Sequence, residues 1–488
     1  MRPRRIPFLP MAEARGLLGE KVIVMKPRIF FVDAVALNRL GRCGTVEQCA
    51  RLQTHLGLPQ RMPFLVDPDG RPLHEINRWL RELPMRNSRS PNTWEAYAED
   101  SLDWYRFMHG RGVSVFDATR DDLAAYHTER LLGTGDPSRN LKPASWNRKI
   151  SALDNLYHWA VDEGLLARVP FTYKDRLIVM PDGRRDVVRS NMARVKGGRR
   201  SATVKWLEDD YVRLFLEVGI SGLAAGNVPP SCGRHTARNR AMAELLVGTG
   251  VRIQEATHLL MSEAPDVPTK PVRYVRMDLP APICKGSKAR WILVPPSALR
   301  HLHGYRRMER NAVLSASAPR WQPDRPLEVT SLAPDGGHID GRRRRWDTLT
   351  VFQRRRLVQT GGGSPLLFLE ATGAPMLDWD RVFREATERC RRVDPYFPTV
   401  TPHTLRHTFA VRMLRWLIEQ VARAVERKER NANIDVLGGY WRVHDPILTL
   451  RDLLGHASVT TTEVYLDAID ATQLYAGIKD DIEDQEDS

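Results

Sequence analysis

Residues 453–466 read LLGHASVTTTEVYL. Gly455 ends one helix, His456 follows it, and Thr460, Thr461, Thr462 and Glu463 open the next. This spacing predicts a capping box, with the Thr460 hydroxyl and the Glu463 carboxylate each taking an unpaired amide of the first turn. Tyr465 then falls in the second turn. A phenol near a helix start, with a histidine just upstream, has two readings: a nucleophile awaiting a phosphate, or a buried tyrosine with a satisfied hydroxyl. The rest of the chain decides between them.

The chain has 488 residues, more than one ordinary core organises, so two or three domains are expected. Lys and Arg outnumber Asp and Glu by 74 to 59, a net charge of +15 that points to a polyanionic partner. Five cysteines, Cys43, Cys49, Cys232, Cys284 and Cys390, form no CxxC pair and no even framework, which suits a reducing compartment rather than a disulfide scaffold or zinc site. The basic start MRPRRIPFLPMAEARG is broken by Pro7, Pro10, Glu13 and Arg15 before any apolar signal core forms. No later stretch is apolar for the length of a bilayer span. The expectation is a cytoplasmic, nucleoid-associated protein without a membrane partner.

Outward from the opening stretch, residues 1–75 form an extension of unknown role, with short strands expected at Lys21–Met25 and Ile29–Val32. Residues 76–175 turn helical. Ile76, Trp79, Leu80 and Leu83 share one face before Pro84, and Pro91 and Asn92 open a second helix that Gly110 and Gly112 close. Asp121–Leu132 and Ala144–Glu163 make two more, a small bundle. Its polar surface holds Arg139, Lys142, Asn147, Arg148 and Lys149, suited to straddling a DNA backbone or to simple solvation. A basic linker is expected at 176–205; from Arg184 to Lys205 it holds eight basic residues, Arg199 and Arg200 among them, against Asp186 alone. Such a tether suits a clamp around a duplex, since phosphate contacts add affinity without sequence information.

A larger domain is expected over 206–475. Asn239–Val247 reads as an apolar-faced helix ending at Gly248–Gly250, and another helix starts at Val251. Tyr274–Leu279 and Arg290–Val294 flank a turn carrying Lys285 and Lys288, an antiparallel ribbon with a lysine at its tip. Residues 311–360, rich in Pro, Gly and Arg, read as an inserted loop with affinity for nucleic acid or as a disordered tract. Helices follow at Asp380–Arg391 and from Pro402, then a charged segment over 416–446; residues 476–488 make an acidic tail.

Arg252 and Glu255 stand three apart on one helical face, so the carboxylate can fix the guanidinium and leave its other donors for an anion. In HTLRH, His403, Arg406 and His407 share a face, and Arg406 between the histidines opposes metal binding. Two arginines, a ribbon lysine, histidines and a tyrosine are the set that phosphoryl transfer without a metal needs. Arginine forks hold non-bridging oxygens and absorb their growing charge. A phenol with an ordinary pKa of about 10 needs that pocket and a base before it attacks, and a lysine can protonate the departing alkoxide.

TGVRIQEATHLL, CKGSKARWILVP, PHTLRHTFAVRML and LLGHASVTTTEVYL, in this order, resemble the four signature blocks of the tyrosine recombinase, or phage integrase, family. The resemblance covers roughly residues 76–475 and implies a mainly α fold with a small antiparallel sheet. A helical SAM-like core-binding domain would precede a mixed α/β catalytic domain. It implies Arg252 and Arg406 as phosphate clamps, Lys285 as general acid with Lys288 as its rival, and His403 and His456 as the two histidines at the phosphate. Glu255 and His407 would support them, and Tyr465 would be the nucleophile. The implied activity is site-specific recombination through a 3′-phosphotyrosyl intermediate, with no metal or nucleotide cofactor. The implied assembly is four protomers on two recombination sites of double-stranded DNA, with an accessory recombinase or host proteins as further partners. A swivelase like the type IB topoisomerases and a catalytically silent DNA-binding accessory protein are the alternatives. The segments over 311–360 and 416–446 exceed what compact members carry, which bears on how subunits pack.

Overall fold

The computed structural model describes residues 27–32, 45, 48, 51, 53, 55–59, 61–86, 90–133, 140–179, 185–195, 204–231, 233–315, 321–323, 325–429 and 445–469. The chain divides into two compact units, residues 1–199 and 200–488. It is largely helical with small, mostly antiparallel sheets.

In the first unit, strands β1 (Arg28–Phe31) and β2 (Pro63–Val66) pair antiparallel. Helices α1 (His74–Glu82), α2 (Pro91–Gly110), α3 (Arg120–His127) and α4 (Pro143–Asp162) follow. Pro91 and Pro143 stand at the first helical position, where a missing amide costs nothing and the fixed φ is already helical. Thr119 caps α3 reciprocally with Asp122. The bundle closes over Trp79, Trp104, Trp146 and Trp159, all buried. Each buried indole N–H finds an acceptor, on Asn155, Tyr157, Ala193 and Glu82 respectively, so these large apolar surfaces are buried without stranding a donor. Met62 and Leu65 belong to the same core, so part of the stretch read as an extension is built into this unit. The strand expected at Lys21–Met25 lies outside the described residues.

The basic stretch read as a linker differs from expectation. Strands β3 (Tyr173–Val179) and β4 (Arg185–Asn191) form an antiparallel ribbon within it. Asp154 of α4 holds the open end of the ribbon, accepting from the Tyr173 hydroxyl at 2.5 Å and the Asn191 amide at 2.9 Å. Charge composition favoured an exposed tether, but the backbone groups of the two segments pair along their whole length and the two bonds to Asp154 hold the ribbon to α4.

The second unit contains α5 (Asp209–Leu214), α6 (Thr236–Thr249), α7 (Ile253–Thr257), the ribbon β5 (Val275–Leu279) and β6 (Arg290–Val294), then α8 (Pro296–Tyr305) and α9 (Asn311–Ser315). Next come β7 (Leu327–Leu332), β8 (Gly336–Ile339), β9 (Arg342–Arg345), α10 (Val351–Arg354) and β10 (Leu357–Gln359). The unit closes with α11 (Asp380–Arg391), α12 (Pro402–Glu429), α13 (Pro446–Leu454) and α14 (Thr460–Glu463). One core forms around α6, α8, α11 and the β5–β6 ribbon, and a smaller one joins α12, α13 and Tyr465.

The tract over 311–360 is, in its described residues, an ordered element rather than a loop. Its four strands run in the order β10-β7-β8-β9 over Val329, Ile339, Trp346, Leu349 and Leu357. Arg354, 0% exposed, grips Glu263 with two 2.7 Å bonds and also donates to the carbonyls of His258 and Trp346. Composition counted this arginine as solvated charge, whereas its partner lies far away in sequence and only folding supplies it. The longer segment after Trp416 continues α12 to Glu429; residues 430–444 lie outside the described set, as does the tail.

Candidate active site

Two glycine turns build the site. Gly250 follows α6 in the left-handed region, at φ 63°, and a Cβ there would lie 2.3 Å from the Phe409 ring. Glycine therefore lets this turn sit directly on α12, where the Gly250 carbonyl accepts from Arg406 Nη1. Gly455 ends α13 in the same way, at φ 64°, and a Cβ there would meet Arg290 Cδ at 2.6 Å. The last carbonyls of α13 have no partner within the helix, and three arginines take them. Arg290 Nη1 donates to Leu453 O at 2.7 Å, Arg406 Nη2 to Leu454 O at 2.8 Å, and Arg252 Nη2 to Gly455 O at 3.2 Å. The negative end of the helix thereby fixes three cations.

Glu255, 1% exposed, is the single carboxylate among them. It accepts from Arg252 N at 3.0 Å, from Arg252 Nη1 at 3.2 Å and from Arg290 Nη2 at 2.6 Å. Burial pushes its pKa upward, but the Arg290 charge and hydrogen bond together with Arg252 hold it below the ordinary carboxylate range. One anion against three guanidiniums leaves a deficit of negative charge at this point of the molecule. Arg406 shows it: burial, then the charges of Arg252 and Arg290, bring its pKa down to about 9.

The histidines and the tyrosine lie against this cluster. His456 Nε2 is 3.2 Å from Arg406 Nη2, and its Nδ1 is 3.0 Å from Thr462 Oγ1. A guanidinium only donates, so Nε2 accepts and the ring proton sits on Nδ1. Burial, then Arg406, Arg252 and Arg290, lowers the His456 pKa to about 4. His407 Nδ1 stands 3.0 Å from the Tyr465 hydroxyl, and its pKa also falls to about 4, from burial and then His403 and Arg406. Both rings are neutral at physiological pH. His403 stacks on His407 with centroids 5.7 Å apart; packing about the ring, then Arg406, Arg252 and Lys285, lowers its pKa. Tyr465 is 2% exposed; burial raises its pKa, against the pull of Arg406 and Arg252.

The structure thus brings Arg252, Glu255, His403, Arg406, His407, His456 and Tyr465 together. Lys285 and Lys288 both lie exposed in the β5–β6 connection, and the charge of Lys285 acts on His403. Among those residues no cluster of His, Cys, Asp or Glu could hold a metal, and no helix is long and apolar enough to cross a membrane. The expected capping box is absent. Val459 stands at the helix start without a side-chain cap, and Thr460 N is served by Ser458 Oγ at 3.2 Å, because the helix begins one residue earlier than the box requires.

The sites read for DNA binding in the first unit are redistributed. Lys149 is buried and holds Asp103 at 2.9 Å and Asp100 at 3.3 Å, and Asn147 bonds the backbone of Val195, so neither offers a free surface. Helical spacing put both on a polar face, but those partners sit on other segments of the unit. Arg148 is exposed yet paired with Asp100 at 2.6 Å, and Lys142 is exposed at the start of α4. Arg139, Arg199 and Arg200 lie outside the described residues. Sequence reading missed Arg290, although the signal was there: it shares the period-two face of Ile292 and Val294, which puts a charge on the buried side of β6.

Residues 76–164 match the phage integrase N-terminal SAM-like domain. A tyrosine recombinase XerD of Mycobacterium tuberculosis is 26% identical over 398 residues, covering 80% of this chain and 92% of its own length. The XerD of Mycobacterium leprae is 25% identical over 403 residues, covering 80% and 91%. Among solved structures, XerH site-specific recombinase bound to palindromic difH substrate, in a post-cleavage complex, aligns at 16% identity and TM-score 0.45, covering 83% of this chain and 88% of that one.

Proposed function

We propose that the chain is a tyrosine recombinase, an enzyme of site-specific recombination, that cuts and rejoins duplex DNA through a covalent bond between Tyr465 and a 3′-phosphate. The Tyr465 oxygen attacks the scissile phosphorus as its proton passes to His407 Nδ1, the acceptor within 3.0 Å. The O5′–P bond breaks, and the 5′-oxygen leaves as a hydroxyl with a proton from Lys285. The 5′-hydroxyl of a partner strand then gives its proton to Lys285 as it attacks the phosphorus, the Tyr465 oxygen–phosphorus bond breaks, and the tyrosine oxygen recovers its proton from His407. Arg252 and Arg406 carry the charge on the non-bridging oxygens, and His456 and His403 bond the same phosphate. Glu255 keeps the forks of Arg252 and Arg290 in register.

The observation that carries this reading is the contact of the Tyr465 hydroxyl with His407 beside guanidiniums already fixed on the end of α13. Neutral His407 can accept a proton, and the excess positive charge waits for an anion. Since the tyrosine lies among arginines of its own chain, we assign attack in cis. Four protomers on two duplexes are the assembly that exchange between two sites requires.

The test is a nicked suicide duplex carrying the DNA that flanks the gene, followed by peptide mapping of the adduct. Adduct forms at Tyr465 and is lost in Tyr465→Phe while DNA binding persists; an adduct surviving that change means another residue attacks. Rapid relaxation of supercoiled DNA of unrelated sequence would instead favour the swivelase.

A further inference from the structure

Arg342, Arg343, Arg344 and Arg345 make up the whole of β9, and all four are exposed. The sheet order puts β9 at an edge, with β8 as its neighbour among the described residues. Alternation sends Arg343 and Arg345 to one face, where they meet Asp335 and Asp347 at 2.7 and 2.5 Å. Arg342 and Arg344 point to the other, and no ion-pair partner is found for either among the described residues. Four like charges on adjacent residues repel one another, and two carboxylates relieve only half of them.

The strand is held at a fixed place beside the ribbon that carries Lys285. The Trp346–Thr348 turn after β9 packs on Ala281–Ile283, just ahead of Cys284 and Lys285. Arg345 and Asp347 line one cleft together with Arg276, Asp278 and Trp291 of the ribbon. From below, Arg354 locks the sheet to Glu263, and Arg355 Nε donates to His258 Nε2 at 2.8 Å while His258 Nδ1 bonds Gln254 O at 2.6 Å, on the helix that Arg252 begins. The charges are therefore fixed relative to the active site, which loosely tethered charges would not be.

We infer that β9 is a second phosphate-binding surface for the backbone of duplex DNA, with Arg342 and Arg344, on the face away from the Asp335 and Asp347 pairs, as its contacts. This rests on the functional reading above and extends the DNA interface to an element outside the catalytic set. The competing account is a charged edge strand that only guards the sheet against pairing with another chain.

Binding of the full-length protein to mixed-sequence duplex DNA, followed by fluorescence anisotropy across a salt series, separates the two. In Arg342→Ser/Arg344→Ser, the slope of log affinity against log salt becomes shallower by about 2, one for each phosphate released. Arg342→Lys/Arg344→Lys keeps the wild-type slope. Asp335→Asn/Asp347→Asn frees charges on the opposite face only and keeps the wild-type slope, whereas the single change Arg344→Gln makes it shallower by about 1, a reading that stands even if the serine variant folds poorly. A wild-type slope in both the serine and glutamine variants overturns the phosphate surface and leaves the guarding role. If that result comes with normal adduct formation at Tyr465, the recombinase reading stands; a wild-type protein that binds no duplex overturns both.

Discussion

Arg406 and Arg344 carry the same guanidinium in opposite settings. Arg406 is 3% exposed, and its bonds go to backbone carbonyls and an imidazole. Arg344 stands in solvent on an edge strand opposite Gly337. Burying a cation costs several kcal/mol, so a chain that does it gains position: the forks of Arg252, Arg290 and Arg406 are fixed before any anion arrives. An exposed arginine costs little and keeps its rotamers, and its attraction is screened within about 8–10 Å at ordinary salt. On the reading proposed above, buried charge prepares chemistry and exposed charge gathers the substrate.

The contrast breaks most sharply at its buried pole. Arg406→Ala and Arg252→Ala should each slow single-turnover cleavage by 100-fold or more, since losing one transition-state charge partner costs roughly 3 kcal/mol. A wild-type cleavage rate in either variant removes the clamp assignment.

A buried arginine outside the chemistry comes next. Arg354→Met strands Glu263, 8% exposed at its side chain, and should lower unfolding stability by roughly 3–5 kcal/mol in denaturant titration. Arg344→Ala in the same assay should stay within about 0.5 kcal/mol. Equal effects would mean that burial is not what distinguishes the two.

The remaining effect concerns the neutral histidines. His258, His407 and His456 are held near about 4 in the folded protein, against an ordinary value of 6.5. As pH falls from 6.5 toward 4 the unfolded chain takes up protons that the folded one refuses. Stability is therefore full above that window and declines within it. The urea midpoint should drop between about pH 7 and about pH 5, and His258→Gln should flatten the drop. The rate of adduct formation should show no inflection near 6.5; one appearing there would mean that a histidine titrates in the working site.

Legibility followed the range of the interaction. The helix Asp380–Arg391 and the helix start at Pro402 agree with the sequence reading, because periodicity and proline are local signals. The side chains gathered around Glu255 were equally legible as neighbours, since Arg252 with Glu255 and His403 with Arg406 and His407 stand close on their own helices. The fate of Lys149, the ribbon at Tyr173–Asn191 and the sheet around Trp346 were not, because each depends on a partner distant in sequence. The Thr460 box failed for a smaller reason, a helix start displaced by one residue.

The sequence alone determined which side chains the site has to work with and the glycines that let its turns close. Their types and spacing are set by local backbone geometry, and Gly250 and Gly455 are the residues that tolerate a left-handed turn against a neighbour. Only the tertiary structure decided that Arg290 joins them, that Arg406 sets the tautomer of His456, and that four arginines of an apparent loop form a strand close to the β5–β6 ribbon. Those outcomes turn on burial and on which carbonyls and carboxylates are left without partners when the chain closes, and neither quantity exists before it folds.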